Sequence, residues 1–374
     1  MCISNHEERT KLCFLANGNS VHTRRWIEYF TNRDYEVHLI TFHGSDSVSN
    51  LDNLIIHNLY RRTFKFINFL YYILISKVII SKIKPDLVHA HYVTHYGVAA
   101  FFLGVHPFIL TAWGSDILID PKQNPIVDYL VKLVLNKADV ITCDADHLLK
   151  VINKYCENKE KTQLIYFGTD LTKFRRHDLD VVSDHILLQK KDLTVISLRG
   201  LKKIYDIETL IKSISFVKEK HPSVHFLIGG DGPEKENLMA MVSTTNLSNN
   251  VTFLGMLPNS ELPEYLSISD VYISTSLSDA GLSASTAEAM ACQLPVIITD
   301  FGDNGLWVKN NINGFLFPCG DYEQLANKLI YLLDNQQERI IMGDNNRKLI
   351  DKQLNYLREM SKVEHIYRSN WRKK

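Results

Sequence analysis

LTVISLRGLKKIYDIETLIKSISFVKEKHPSVHFLIGG, Leu193 to Gly230, holds two apolar runs of strand length with a helix-length segment, Ile207 to Lys220, between them. Near-continuous apolar strands suit a parallel sheet covered on both faces, and a helix between two of them is the crossover that parallel pairing needs. The scheme continues in both directions. Downstream, VTFLG, DVYIST and PVIITD are further runs, with Glu234 to Asn246 and Ser260 to Ser269 as helical segments between strands. Upstream, KLCFLAN, EVHLITF, NLIIHNLY, DLVHAH, FILTAW, DVITC and TQLIYF alternate with stretches such as His22 to Arg33, Phe66 to Ile83 and His147 to Tyr155. Alternation through both halves predicts an α/β protein of two Rossmann-like doubly wound domains facing a cleft, with ligands outside the carboxyl ends of the strands. The expected division is 1–175 and 176–354, with the charged RRHDLDVVSDH near the seam, and a C-terminal helix within 355–374 able to pack back on the first domain.

A chain of 374 residues exceeds what one hydrophobic core usually serves. Lys plus Arg and Asp plus Glu number 42 each, so no global field points to nucleic acid. Cys2, Cys13, Cys143, Cys156, Cys292 and Cys319 form no close pair and no metal-type spacing, as expected of reduced thiols. The N-terminus lacks a signal-peptide pattern and no window reaches the ~18 uncharged apolar residues of a membrane span. A cytoplasmic protein is expected.

The richest stretch for chemistry is SDAGLSASTAEAMACQLPVIITD, Ser278 to Asp300. Gly281 lets backbone N–H groups approach a ligand, and the small residues after it open a helix whose N-terminal dipole attracts phosphate. Glu288, inside that helix, has the reach and the two acceptor oxygens to hold a ribose diol, or is an ordinary solvated helical carboxylate. GNSVHTRRW, DLVHAH, WGSD, IYFGTDLTKF, SLRGLKKIYDIETLI, GGDGPE, VTFLG and the Ser278–Asp300 segment stand in one order along the chain. In that order and spacing the chain resembles the retaining glycosyltransferases of the two-Rossmann-domain GT-B fold, family four, also called glycosyl transferases group 1.

The resemblance implies transfer of a sugar from a nucleotide donor, UDP- or GDP-linked, without cofactor or metal, the C-terminal domain binding the donor and the N-terminal domain the acceptor. It makes Glu288 the second glutamate of the family's paired motif, the ribose binder. Gly281, Leu282 and Ser283 would face the donor, with backbone N–H groups of the first two toward its phosphate or sugar. The first glutamate of the pair falls on Ala280, with Asp279 adjacent as a substitute. Arg199 matches the family's diphosphate-binding Arg, Tyr205 falls where the Lys is usual, and Lys202 or Lys203 stands in from the same loop. His91, at the carboxyl end of DLVHAH, takes a catalytic role beside Arg199 and Glu288. The Gly18-Asn19-Ser20 loop approaches the donor phosphates, and His22, Arg25, Trp113 and Asp116 lie on the acceptor side.

Other readings of these residues remain. His89, His91 and His95 invite a zinc site, although no fourth ligand is in view. The alternation in VHAH places His89 and His91 on one face, where one of them can be a buried, hydrogen-bonded structural residue. Asp144 and Asp146 form a DxD pair, and the helical pattern that follows favours N-capping over metal binding. Exposed loop cations remain the plain alternative for Arg199, Lys202 and Lys203. RRTFKFINFLYYILISKVIISKIK, Arg61 to Lys84, reads equally as a helix at a membrane interface, fitting a lipid-linked acceptor at the inner leaflet, or as a buried helix of the acceptor domain. The expected chemistry is front-face transfer through an oxocarbenium-like state, the departing diphosphate deprotonating the incoming hydroxyl, in surface polysaccharide or glycolipid synthesis. A degenerate nucleotide-sugar binder, a sugar-nucleotide epimerase and a nicotinamide dehydrogenase are the alternatives, the last without its glycine fingerprint.

Overall fold

The computed structural model describes residues 9–60, 65–279 and 281–371. The chain forms two compact units, one running through Tyr166 and taking in Glu359 onward, the other Phe167–Arg358.

The first unit holds β1 (Thr10–Leu15), β2 (Tyr35–Thr41), β3 (Leu54–Asn58), β4 (Leu87–His91), β5 (Phe108–Ala112), β6 (Val140–Cys143) and β7 (Thr162–Leu164). They form one parallel sheet in the order β3-β2-β1-β4-β5-β6-β7. The second unit repeats the winding with β8 (Thr194–Leu198), β9 (His225–Gly229), β10 (Val251–Gly255), β11 (Val271–Ser274), β12 (Val296–Thr299) and β13 (Gly314–Phe317). Its order is β10-β9-β8-β11-β12-β13, again parallel. Both orders reverse direction once, between β1 and β4 and between β8 and β11, and a doubly wound sheet binds ligands at that switch point. The expected α/β class, two doubly wound parallel sheets with helices, is the observed one.

Strand alternation divides the first sheet's residues between two faces. Cys13, Leu15, Val88, Ala90 and Leu110 enter the cluster that also holds Tyr72, Val98 and Val131 from helices Lys65–Ile83, Val98–Leu103 and Pro125–Lys137. On the other face Phe14, His89 and Trp26 of helix Val21–Thr31 lie together, and Tyr367 of helix Tyr356–Asn370 stacks on Phe30 at 4.8 Å. The Tyr29 and Tyr35 hydroxyls donate to Glu364 at 3.1 and 2.7 Å, and the Tyr166 N–H donates to Glu359 at 3.1 Å, so this last helix belongs to the first unit from Glu359 on.

The division at Tyr166 precedes the charged stretch where the sequence suggested a seam, because the chain after it already bonds to the second unit. Thr169 exchanges backbone hydrogen bonds with Leu354 and Tyr356 at 2.6 and 3.0 Å, and the Arg347 guanidinium donates to the Phe174 carbonyl at 2.7 Å. RRHDLDVVSDH contributes only the short turns Leu179–Val181 and Asp184–Leu187. β13 was not read from the sequence, since GFLF is four residues long and begins on the glycine of an Asn-Gly pair. Gly314 there lies so close to β12 that a Cβ would sit 2.2 Å from the Val296 carbonyl oxygen. The expected N-capping by Asp144 and Asp146 is not made: Ala145 is the N-cap of helix Asp146–Tyr155 and no side chain caps it. Among the described residues, no helix is long and apolar enough to cross a membrane.

Candidate active site

β4 ends on His91, and Tyr92 after it takes φ +77°, a left-handed conformation unusual for a bulky residue, before the π-helical turn Tyr92–Gly97. The strain is held from outside. The Tyr92 hydroxyl bonds to Ser115 at 2.9 Å and donates to Asp120 at 3.3 Å. The Asp116 carboxylate, fully buried, accepts the N–H groups of Val93 at 2.8 Å, Trp113 at 3.1 Å and Gly114 at 2.9 Å. Asp116 therefore ties the turn after β4 to the turn after β5. Burial raises its pKa to about 6 despite those N–H donors.

His91 is 2 % exposed and enclosed by ring edges, Trp26 at 5.2 Å, Trp113 at 5.6 Å and Phe14 at 5.7 Å. Neither of its ring nitrogens has a hydrogen-bond partner among the described residues. Desolvation, with His22 nearby, lowers its pKa to about 3, so it is a neutral imidazole at physiological pH. His89, two residues earlier on the same face, is the structural member of the pair. Its Nδ1 meets the Tyr367 hydroxyl and its Nε2 the Thr111 hydroxyl at 2.7 Å, and Thr111 in turn bonds Thr142 at 2.6 Å. His95 approaches the Thr94 hydroxyl at 3.3 Å and does not join the other two. Among the described residues no three His, Cys, Asp or Glu side chains are grouped to hold a metal ion.

The remaining first-unit candidates surround this switch point. His22 stacks on Trp113 at 4.5 Å, and desolvation and the charge of Arg25 lower its pKa to about 4. Gly18 is required by close approach, since a Cβ there would sit 2.5 Å from the Gly44 carbonyl oxygen. Asn19 accepts the Asp46 N–H at 2.7 Å, so the loop after β1 is braced against the loop after β2. At the end of β6, burial raises Asp144 to about 7, with the Asp116 charge adding to the effect. Asp146 accepts the Tyr166 hydroxyl at 2.7 Å.

In the second unit Arg199 directly follows β8, opposite the loop that follows β11. Its guanidinium pairs with Asp279 at 2.5 Å, reaches Ser276 at 3.1 Å and Ser285 at 3.4 Å, and lies 4.4 Å from the centre of the Tyr205 ring. The pair is nearly enclosed, with side-chain exposures of 10 % and 11 %. Tyr205, at the position where a Lys is usual, thus packs against the Arg face, and Asp279 is a charge partner of Arg199. Lys202 and Lys203 are exposed in the turn that follows. The GGDGPE segment is shaped to this turn. A Cβ at Gly230 would meet the Arg199 carbonyl oxygen at 2.2 Å and one at Gly232 the Leu201 carbonyl oxygen at 2.3 Å.

Ala284–Ala291 is helical, its N-cap Ser283 accepting the Thr286 N–H. Gly281 and Leu282 lie half-buried just before it and Glu288 half-buried within it. Ala280, where the family pattern expects its first glutamate, lies outside the described residues. Arg199 reaches this helix through Ser285, which also accepts the Tyr272 hydroxyl at 2.8 Å. Sequence reasoning did not single out Ser276, Ser285 or Trp26. Trp26 alone left a signal, one helical turn after His22. The two serines reach Arg199 only through strand order.

Two family models match the chain. Glycosyl transferases group 1 covers residues 180–349 and Glycosyl transferase 4-like covers residues 11–145. The N-acetyl-alpha-D-glucosaminyl L-malate synthase of Bacillus anthracis is 22 % identical over 287 residues, 75 % of this chain and 74 % of its own. The UDP-Gal:alpha-D-GlcNAc-diphosphoundecaprenol alpha-1,3-galactosyltransferase of Escherichia coli is 26 % identical over 316 residues, 77 % of this chain and 76 % of its own. Anabaena HepE, solved in complex with UDP, superposes with a TM-score of 0.81 at 17 % identity, over 96 % of this chain and 100 % of its own. With both units matched and the strand orders as described, the chain is a glycosyltransferase of the GT-B fold, its second unit resembling the group 1 glycosyl transferases and its first the 4-like ones.

Proposed function

We propose that this enzyme moves a sugar from a nucleoside-diphosphate donor, UDP- or GDP-linked, to a hydroxyl of a glycan or lipid-linked acceptor, with retention and without metal or cofactor. Surface polysaccharide or glycolipid synthesis in the cytoplasm, at the face of a membrane, is the setting. The observation that carries this reading is Arg199, fixed at the β8/β11 switch point and reaching the first turn of the helix that bears Glu288. A guanidinium and the positive end of that helix supply the charge that a leaving diphosphate requires. Glu288 holds the ribose, and Lys202 and Lys203 add exposed cations beside the phosphates. His91, neutral and caged, donates or accepts a hydrogen bond without changing charge, which suits a sugar hydroxyl. The UDP in Anabaena HepE and the UDP-galactose and diphosphoundecaprenol in the Escherichia coli enzyme's name support the donor and acceptor classes.

The chemistry follows from charge placement. As the glycosidic bond to the diphosphate lengthens, negative charge grows on the phosphate oxygens, where fixed donors stabilise it more than they stabilise the ground state. The departing phosphate takes the proton of the acceptor hydroxyl that attacks from the same face, so no nucleophilic carboxylate is needed.

The test is thermal stabilisation with UDP, GDP, ADP, CMP, NAD and nucleotide sugars, with magnesium and then with chelator. A selective, chelator-insensitive rise in Tm with one nucleoside diphosphate, lost in Glu288→Ala without loss of fold, is expected. No shift with any nucleotide, or one with NAD alone, would overturn the reading. Binding without sugar transfer or donor hydrolysis would instead favour the degenerate binder, for which Ala280 in place of a glutamate is the specific ground.

A further inference from the structure

Helix Lys65–Ile83 is apolar on almost every side: Phe69, Ile73, Ile79 and Ile80 pack on the core of the first unit, yet a second apolar ridge is left facing outward. Its buried positions four apart are Asn68, Tyr72 and Ser76, while the exposed positions four apart are Leu70, Leu74 and Val78, at 50 %, 64 % and 49 % exposure. A surface helix packed on a core turns its apolar stripe inward and its polar stripe to water. Phe102, on the neighbouring helix Val98–Leu103 that packs against it, is 54 % exposed as well.

Charge identifies the occupant of this face. The sequence from Asn53 through Pro85 carries Arg61, Arg62, Lys65, Lys77, Lys82 and Lys84, and not one Asp or Glu. Lys77 and Lys82 are exposed on the same helix as the apolar ridge. A protein partner with an apolar patch would account for the leucines alone. A stretch of this length with cations, apolar side chains and no carboxylate matches a surface that offers acyl chains beneath anionic headgroups.

We infer that the ridge Leu70–Leu74–Val78 and its flanking lysines seat this enzyme on an anionic phospholipid bilayer, the helix lying in the interface plane. The inference gives a location on the molecule to the membrane contact named in the proposed function, and its readout requires neither donor nor acceptor. A lipid-linked acceptor would then be met at the bilayer surface, with the search for it reduced to two dimensions.

The experiment is co-sedimentation of the full chain with vesicles of phosphatidylcholine alone and of phosphatidylcholine with about one third phosphatidylglycerol, at low and high salt. Salt-sensitive binding to the anionic vesicles is expected. Leu74→Glu and the double variant Lys77→Glu/Lys82→Glu should each weaken it about tenfold or more while leaving the UDP-induced Tm shift unchanged. Because these side chains are exposed, both variants should fold, and circular dichroism checks this. Absence of sedimentation with anionic vesicles, or sedimentation that neither variant reduces, would overturn the inference. So would a dimer in solution that Leu74→Glu dissociates, since a second copy would then be what covers the ridge. A lost UDP shift in the parent protein would strike the donor reading and leave this one standing.

Discussion

Replacing His91 by Phe should make the first unit more stable and the enzyme nearly inactive. The neutral imidazole carries one donor and one acceptor, buried at 2 % exposure without a hydrogen-bond partner among the described residues. Each such group costs about 1–3 kcal/mol. Phe removes both and keeps the edge contacts to Trp26, Trp113 and Phe14. Its larger ring overpacks the cage at about 1–3 kcal/mol, against about 2–6 kcal/mol for the two groups together, so the net gain is centred on about 2 kcal/mol. For a unit of this size that is a rise in Tm of about 4–8 °C.

Acid enlarges the difference, and its sign is fixed by linkage. The folded pKa of His91, about 3, lies below the ordinary 6.5, so the unfolded chain takes up the proton first as pH falls. The histidine's contribution to stability is complete above the unfolded value and is lost between the two values at about 1.4 kcal/mol per pH unit. At about pH 5 the variant should therefore gain about 2 kcal/mol more over the parent than at about pH 7.5. Thermal melts at the two pH values, followed by circular dichroism, read both effects, and a transfer assay should show a loss of about a hundredfold or more. A variant that melts below the parent at both pH values, or that transfers sugar at the parent rate, would refute the reasoning.

Asp279→Asn should lower the Tm of the second unit, because breaking a nearly enclosed ion pair costs about 3–5 kcal/mol, yet it should enlarge the UDP-induced shift by releasing the Arg199 charge toward the diphosphate. If Asp279 instead binds the sugar, the nucleotide-sugar shift will shrink while the UDP shift stays the same. Gly230→Ala should leave little soluble protein, since its Cβ would meet a backbone oxygen at 2.2 Å at φ +137°, a collision that no side-chain rotation relieves. Gly255→Ala, at φ +68° with nothing within 4 Å, should cost only about 1–2 kcal/mol, and comparable expression of the two variants would contradict the close-approach argument.

Lys65–Ile83 shows where tertiary structure decided what the residues left open. Its aromatic and aliphatic composition suited a buried helix and a membrane-surface helix alike, because composition does not say which stripe faces the sheet. Packing against the first sheet chose Asn68, Tyr72 and Ser76 for the interior. The same limit governs the histidines of β4. Alternation placed His89 and His91 on one face, but only the arrival of Tyr367, far along the chain, made His89 structural and left His91 without a partner.

The sequence by itself determined the doubly wound α/β class, the two units, and the candidate residues at strand ends, because apolar runs, crossover lengths and glycine turns are local properties of the chain. The position of His91 was legible for that reason, whereas Arg199 and Glu288 were singled out by the chain's resemblance to a known family. Tertiary structure alone decided their partners: Asp279, Ser276 and Ser285 for Arg199, the Trp26–Trp113 cage for His91, and the inward carboxylate of Asp116 that ties two turns together. Those contacts join loops brought together by strand order in parallel sheets, and no local pattern in the chain encodes which strand lies beside which.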